Sequence, residues 1–241
     1  MLTSRRIPVL QILGGKLVKT ENFKKPNYVG DPLNAVKIFN EKEVDELIIC
    51  DITPGLFHTG PDFQLIETLL SECQMPVGYG GGIRGIADAH QIFHSGAEKV
   101  IINTLAFENT QAVFEISRNY GSQAVSLSID YSLGFFKKWN FYKKNGQKKT
   151  NLSIEGIIEL CKEIECGEII LHSIDSDGKL QGLDYDLLYK IKDKISVPIV
   201  LLGGAKNEED FQAAITHGAH SVAAGSMFIY QGPHKAVLIQ Y

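Results

Sequence analysis

The sequence predicts a single (β/α)8 barrel with a two-fold internal repeat. Short apolar runs rich in β-branched residues recur along the 241 residues, and amphipathic stretches with helical spacing separate most of them. Repeated strand–helix–strand order favours parallel strands joined by right-handed crossovers. At about 30 residues per unit, eight units match the roughly 250 residues of a closed barrel, whereas an open doubly wound sheet usually has fewer strands.

The predicted strands, in chain order, are 7–13, 47–52, 77–80, 100–103, 124–130, 168–174, 199–202 and 221–224. The clearest predicted helices are 61–73, 153–165 and 207–217, where apolar residues recur every three or four positions. Two connections, 14–30 and 131–150, are too long for ordinary strand–helix loops. We expect them to form active-site lids or small hairpins.

The chain repeats itself once at an offset of 122 positions. Matching pairs are Glu46 with Glu168, Pro76 with Pro198, Gly81-Gly82 with Gly203-Gly204, and Asp88 with Asp210. Such a repeat predicts two four-stranded half-barrels, about 1–120 and 121–241. Because no Pro- or Gly-rich linker separates the halves, we expect one domain over 1–241 with a shared core.

Composition excludes several classes of protein. The net charge of −4 and the pI near 6.0 provide no overall basic field for nucleic acid. The apolar run after Arg5 and Arg6 is broken by Pro8, too early for a signal peptide or a membrane span, so we expect a cytoplasmic chain without a membrane segment. His90 and His94 have helical spacing but no third ligand, so neither a metal nor a cofactor is expected.

Glycines and hydroxyl residues follow four predicted strands in repeat-related pairs. They are Gly81, Gly82, Asn103 and Thr104 in the first half, and Gly203, Gly204, Gly225 and Ser226 in the second. Backbone N–H groups without a blocking Cβ, at the start of a helix, can hold an anion, although such glycines can also simply make tight turns. Two related cradles indicate an elongated ligand with a phosphate at each end.

Other residues would complete these cradles. Asp177 and Gly178, after the sixth strand, could close the second one. Lysines of the two long connections could place mobile positive charge above the ligand, or could simply be solvated. These lysines are Lys19, Lys24, Lys25, Lys137, Lys138, Lys143 and Lys144.

Two carboxylates end apolar strands at the predicted catalytic face. Asp51 ends the second strand and Asp130 the fifth, and a carboxylate there is costly to bury unless it is paired or used, so both are candidates for proton transfer. The internal repeat places Gln11 opposite Asp130. An amide can donate and accept hydrogen bonds but cannot exchange a proton near neutral pH.

Seven short motifs occur in order over essentially the whole chain: R-R-I-P-V-L-Q, D-I-T, G-G-G-I, I-I-N-T, G-S-Q-A-V, I-D-x-D-G and G-G-A-K. With these motifs the chain resembles the cyclase subunit of imidazole glycerol phosphate synthase. The resemblance implies the double-phosphate substrate phosphoribulosyl-formimino aminoimidazole carboxamide ribotide. It also implies a heterodimer with a separate glutaminase subunit, whose ammonia attacks that substrate to give imidazole glycerol phosphate and aminoimidazole carboxamide ribotide.

Carried over by position, the resemblance assigns Asp130 as a catalytic acid/base and Lys19 to the substrate lid. It assigns Gly82, Asn103, Thr104, Asp177, Gly178, Gly204 and Ser226 as phosphate contacts. The family's other acid/base is an aspartate where this chain has Gln11. His172 stands where the family usually has a small hydroxyl residue facing the substrate.

Four charged residues, Arg5, Glu46, Lys99 and Glu168, lie at or just before strand starts. Such charges are usually just solvated. The resemblance implies instead a salt-bridged ring at the entrance of an ammonia tunnel that faces the glutaminase, with Glu98 and Gln123 on the docking surface.

Three hypotheses follow. The chain is a paralogue that keeps the glutaminase and the tunnel but has lost full cyclase capacity, as in relatives that serve amidation of surface-polysaccharide sugars. Alternatively, it is a genuine cyclase of histidine biosynthesis, or a non-catalytic barrel that binds a phosphorylated ligand and activates the glutaminase. Gln11 favours the first.

Overall fold

The computed structural model describes residues 4–135, 138–232 and 234–241. Lys137 lies outside the described residues. The strands are β1 (Arg6–Leu13), β2 (Lys16–Glu21), β3 (Lys24–Gly30), β4 (Leu47–Asp51), β5 (Val77–Gly80), β6 (Lys99–Ile102), β7 (Val125–Leu133), β8 (Trp139–Lys143), β9 (Lys148–Lys149), β10 (Glu168–Ser173), β11 (Ile199–Leu202), β12 (Ser221–Ala224), β13 (Tyr230–Gln231) and β14 (Ala236–Val237). The helices are α1 (Pro32–Glu41), α2 (Leu56–Thr59), α3 (Phe63–Leu70), α4 (Ile86–His94), α5 (Thr104–Glu108), α6 (Thr110–Tyr120), α7 (Ile154–Glu163), α8 (Asp186–Ile191), α9 (Glu208–His217) and α10 (Ser226–Ile229).

Eight parallel strands close into a barrel, which confirms the predicted fold. Their order is β1-β4-β5-β6-β7-β10-β11-β12, and β12 pairs again with β1 to leave no free edge. A small apolar cluster that includes Ile7, Ile48 and Ile170 lies inside the barrel. A larger cluster, including Leu10, Phe39 and Ile92, fills the space between the strands and the surrounding helices. No helix among the described residues is long and apolar enough to cross a membrane.

Both long connections form hairpins, one of the two outcomes expected for them. β2 and β3 extend β1 as an antiparallel meander, and β8 and β9 do the same for β7. The first hairpin is tied to the barrel mouth by the Asn22 backbone N–H, which donates to the Asp177 carbonyl at 3.1 Å. The second is tied by the Asn145 side chain, which donates to the Ile52 carbonyl at 3.2 Å.

The sequence repeat is also a repeat of local geometry. The backbone N–H of Arg84 donates to Asp88 Oδ2 at 2.9 Å, and that of Lys206, 122 positions on, donates to Asp210 Oδ2 at 2.7 Å. Gly81 (φ +134°) faces the Asp51 carbonyl, and its counterpart Gly203 (φ +104°) faces the Ser173 carbonyl. A Cβ at either glycine would lie within 2.7 Å of that oxygen, which explains why both positions are glycine.

Helix boundaries differ from the predicted ones by a few residues for a physical reason. The predicted helices began at or before the capping residues Asp62, Ser153 and Asn207. The side chain of each cap accepts a hydrogen bond from a backbone N–H in the first turn, and its own backbone is extended, so the helix begins one residue later.

Candidate functional site

A cleft opens where the strands of the second half end. It brings together Gln11, Lys19, His172 and Asp177 with the rest of the predicted second cradle. The residues of that cradle along the cleft are Gly178, Gly203, Gly204, Gly225 and Ser226. Since the carboxyl ends of barrel strands carry active sites in this fold, the cleft is the candidate site.

Asp130 and Gln11 occupy equivalent places in the two halves of the barrel. Gln11 on β1 is in register with Cys50 on β4, and Asp130 on β7 is in register with His172 on β10. Asp130 is buried and accepts a hydrogen bond from Ser128 Oγ at 3.2 Å. Burial raises the pKa of Asp130 to about 6, against the opposite influence of His172 and Ser128. A carboxyl group that titrates near neutral pH is suited to accepting and returning a proton.

Gln11 is fixed by the first hairpin. Its Oε1 accepts the backbone N–H of Thr20 at 3.2 Å, and its Nε2 donates to Thr20 Oγ1 at 3.3 Å. Thr20 Oγ1 donates in turn to Asp177 Oδ2 at 2.8 Å. The amide therefore helps to anchor the hairpin to the cleft, and it supplies no exchangeable proton.

Asp177 is a buried, ionised carboxylate. Burial raises its pKa, but contacts with His172, the Thr20 hydroxyl and the Phe23 backbone N–H outweigh burial, so the net pKa lies below its ordinary value. His172 lies between Asp177 and Asp130, and its ring packs against the Phe23 ring at 4.5 Å between centroids with the two planes tilted by 56°.

Lys19 lies inside the barrel mouth. Its Nζ donates to the Val9 carbonyl at 2.6 Å, and a Cβ at Gly225 would lie 2.2 Å from this Nζ. Burial lowers the pKa of Lys19 to about 8. The ammonium group is therefore fixed beside the second cradle, whereas Lys24 and Lys25 at the hairpin turn are exposed.

The first cradle is covered by the second hairpin. The backbone N–H of Lys144 donates to Thr104 Oγ1 at 3.0 Å, and Asn103 Nδ2 donates to the carbonyls of Ser128 and Tyr142 at 3.1 and 3.2 Å. Asp51 Oδ1 accepts the Thr53 backbone N–H at 2.9 Å, and burial raises the pKa of this carboxyl.

Two lysines of the second hairpin pair with a carboxylate of the barrel wall. The ammonium groups of Lys143 and Lys144 pair with Glu108 at 2.9 and 3.4 Å, and Lys138 is exposed. The side chains of Asn103 and Thr104 therefore bind this hairpin, in addition to any phosphate that they contact.

The four charged residues at the strand starts meet at the opposite end of the barrel, and we call them the charge ring. Arg5 bridges the carboxylates of Glu46 and Glu168. Lys99 Nζ closes the ring at 2.9 Å from Glu46 Oε1 and 3.5 Å from Glu168 Oε1. Both carboxylates are buried, and Glu168 also accepts from Ser126 Oγ at 2.9 Å. Glu98 and Gln123 are exposed on the surrounding rim.

Three residues that shape the site are not among those predicted from the sequence. Thr20, Phe23 and Ser128 hold Gln11, His172 and Asp130 in place. Only Ser128 had a usable signal, since it precedes Asp130 by two positions in a strand and therefore faces the same side. The contacts of Thr20 and Phe23 depend on the first hairpin, and the sequence did not decide whether that connection forms a lid or a hairpin.

Known proteins resemble this chain over nearly its full length. A family described as "Histidine biosynthesis protein" matches residues 5–235. A "Putative imidazole glycerol phosphate synthase subunit HisF" of Leptospira interrogans is 43% identical over 243 residues, which cover 100% of this chain and 96% of that protein. A "Putative imidazole glycerol phosphate synthase subunit hisF2" of Pseudomonas aeruginosa is 42% identical over 242 residues, with 100% and 96% covered. An "Imidazole glycerol phosphate synthase subunit HisF" of Oceanobacillus iheyensis is 34% identical over 233 residues, with 95% and 91% covered.

Proposed function

The chain belongs to the histidine biosynthesis protein family, among relatives named as the HisF subunit of imidazole glycerol phosphate synthase, and we propose that it is a paralogue with impaired cyclase activity. In this proposal it accepts ammonia from a partner glutaminase through the barrel. It serves ammonia delivery or amidation, for example in the biosynthesis of surface-polysaccharide sugars, and acts in the cytoplasm.

The contrast between the two ends of the barrel carries the proposal. At one end, all four members of the charge ring are present and paired. At the other end, Gln11 occupies the place equivalent to Asp130, and its amide is bound to Thr20. Loss of one acid/base group lowers the rate of cyclisation at the cleft and leaves the charge ring at the far end unaffected.

The charge ring suits a passage for a neutral molecule under a docked partner. Two cations and two anions alternate, so each buried charge has a counter-charge when a partner covers the ring. An unpaired charge in that position would face a desolvation penalty. Ammonia is uncharged and has no such penalty, whereas ammonium and other ions do. The proposed partner is a separate glutaminase of Cys-His-Glu type in a heterodimer.

The cleft supports a phosphorylated substrate. Lys19 holds a fixed ammonium group beside Gly225, and Gly203 and Gly204 present backbone next to it. The repeat places the glycine pair Gly81-Gly82 in the first cradle, equivalent to Gly203-Gly204, so the proposed substrate carries a phosphate at each end.

Two alternatives are distinguished by particular residues. Asp130, with its raised pKa, favours a genuine cyclase of histidine biosynthesis in which this carboxyl and a water move the protons. A non-catalytic barrel that binds a phosphorylated ligand and activates the glutaminase would need the cradles and the charge ring but not Asp130. Cyclase turnover with ammonium salt distinguishes the impaired paralogue, the genuine cyclase and the non-catalytic barrel.

The partner is tested by co-purification with a glutaminase from the same organism. We expect a stoichiometric complex with wild-type chain, and Lys99→Ala or Glu98→Lys should weaken it and lower glutamine hydrolysis. Lys99→Ala leaves two buried carboxylates with Arg5 alone, and Glu98→Lys reverses a charge on the exposed rim. Glu159→Lys, a charge reversal at an exposed residue of α7, is the matched control. A complex that both Lys99→Ala and Glu98→Lys leave unchanged would argue against docking at this end.

The two cradles are tested by anion binding. Calorimetric titration with inorganic phosphate should show two bound anions per chain. Crystals soaked in sulfate should show one anion near Gly82 and Thr104 and one near Gly204 and Ser226. Thr104→Asp and Ser226→Asp, which are repeat counterparts, should each remove one site by charge repulsion and leave the other. Density at neither site would contradict a bisphosphorylated substrate.

A further inference from the structure

Two lysines of the second hairpin share one carboxylate beside the first cradle. Lys143 Nζ lies 2.9 Å from Glu108 Oε1, and Lys144 Nζ lies 3.4 Å from the same oxygen. Among the described residues, neither ammonium group has a second carboxylate within 4.0 Å. Two positive charges therefore face one negative charge, and this cluster has one positive charge in excess.

Lys144 also contacts the cradle itself. Its backbone N–H donates to Thr104 Oγ1 at 3.0 Å, and its ammonium group lies over the Phe57 ring at 4.6 Å from the centroid. Thr104 and Glu108 begin and end α5, four residues apart, so they share one face of that helix. The backbone of Lys144 is therefore at the cradle, and its ammonium group is one helical turn away.

The two lysines differ in how tightly Glu108 holds them. The Lys143 side chain is 13% exposed, whereas that of Lys144 is 31% exposed. The Lys144 contact of 3.4 Å is long for a charge-assisted hydrogen bond, which is usually about 2.7–2.9 Å. Lys144 can therefore leave Glu108 while Lys143 stays and keeps the carboxylate paired.

The second cradle has an ammonium group from the opposite hairpin beside it. Lys19 Nζ, on β2 of the first hairpin, lies 2.2 Å from where a Cβ at Gly225 would be. The two hairpins are counterparts, since each follows the first strand of its half-barrel. In the second hairpin, however, the ammonium group nearest the cradle backbone contact is paired with Glu108.

We propose that Lys144 is a phosphate-binding residue of the first cradle and that Glu108 competes with the phosphate for its ammonium group. A phosphate near Gly82 and Thr104 presents more oxygens and more charge than a carboxylate, so it is the stronger partner. Rotation about the flexible four-carbon stem of the lysine carries Nζ back by one helical turn while the backbone N–H stays at Thr104. The proposal rests on the proposed function, because it needs a phosphate in the first cradle.

Titration with inorganic phosphate, followed by 15N NMR at constant ionic strength, tests the role of Lys144. The amides that report the cradles are Gly82 and Thr104 for the first and Gly204 and Ser226 for the second. Lys144→Gln keeps the backbone N–H, and we expect it to weaken binding at the first cradle by about fivefold, as for one partly exposed ion pair. Binding at the second cradle should stay unchanged. Lys148→Gln, which removes an exposed charge from the same hairpin, is the matched control and should have an effect of less than about twofold.

The competition by Glu108 is tested by combining variants. Glu108→Gln releases the ammonium group and should tighten phosphate binding at the first cradle by about threefold. In the Lys144→Gln chain the same substitution should have a clearly smaller effect, because the ammonium group that it releases has been removed.

Two results would overturn the proposal while phosphate still binds the first cradle. One is equal weakening by Lys144→Gln and Lys148→Gln, and the other is an effect of Glu108→Gln that is the same with and without Lys144. A wild-type chain that binds no phosphate near Gly82 and Thr104 is a different outcome. It would contradict the bisphosphorylated substrate of the proposed function, and this inference with it.

Discussion

Gln11→Asp is expected to raise ammonium-dependent cyclisation by about 10²-fold or more, since general acid–base groups commonly contribute 10²- to 10⁴-fold. The variant restores a carboxyl group at the place equivalent to Asp130. It also shortens the side chain by one methylene, which removes the contact of Gln11 with the Thr20 backbone and sets a limit on the recovery. Formation of imidazole glycerol phosphate with saturating ammonium salt measures the effect.

Gln11→Asn is the matched control, because it has the length of the aspartate and keeps an amide. It should remain as slow as wild type, and Asp130→Asn should be slower still. A wild-type chain that is as fast as an aspartate-bearing cyclase subunit would remove the main support for the paralogue hypothesis.

Arg5→Met is expected to lower the free energy of unfolding by about 3–5 kcal/mol, the usual cost of removing one partner from a buried ion pair. The substitution leaves the buried carboxylates of Glu46 and Glu168 with Lys99 as their only cation within the charge ring. Its matched control is Arg6→Met. Arg6 pairs with Glu208 on the surface, where an ion pair contributes about 1 kcal/mol or less. Urea unfolding at pH 7 measures both.

The pH dependence of this difference has a definite sign. Burial raises the pKa of Glu168, but Lys99, Arg5 and Ser126 outweigh it and hold the pKa below its ordinary value. A carboxyl group with a lowered pKa stabilises the folded state above its unfolded value of about 4.3 and loses that contribution as the pH falls further. The stability gap between wild type and Arg5→Met should therefore shrink below about pH 4. Equal losses from Arg5→Met and Arg6→Met at pH 7 would show that the ring is not energetically distinct from a surface pair.

Periodicity made the barrel predictable, because apolar β-branched runs indicate buried strands and amphipathic stretches indicate helices with one buried face. The repeat made the equivalence of Gln11 and Asp130 in the two halves predictable. These two residues are 119 positions apart in the first and fifth strands, whereas the other equivalent residues are 122 positions apart. The position of His172 between Asp130 and Asp177 was not predictable. It depends on side-chain directions at the ends of two strands and on a hairpin that brings Thr20 and Phe23 against them.

The covering of the first cradle also lay beyond sequence reasoning. Thr104 accepts a hydrogen bond from the backbone of Lys144, 40 positions away, and no side-chain pattern marks a backbone donor. The lysines of that hairpin were identified by charge, yet two of them pair with Glu108 at the end of α5.

The proposed loss of cyclase capacity is tested by the ratio of two products. They are measured in the complex of this chain with its glutaminase, supplied with glutamine and the bisphosphorylated cyclase substrate. Glutamate reports ammonia made by the glutaminase, and imidazole glycerol phosphate reports ammonia used for cyclisation. We predict glutamate formation that the substrate stimulates, with far less than one imidazole glycerol phosphate formed per glutamate. Formation of the two products in equal amounts, at the rate of an aspartate-bearing synthase, would show that this chain is a fully active cyclase subunit.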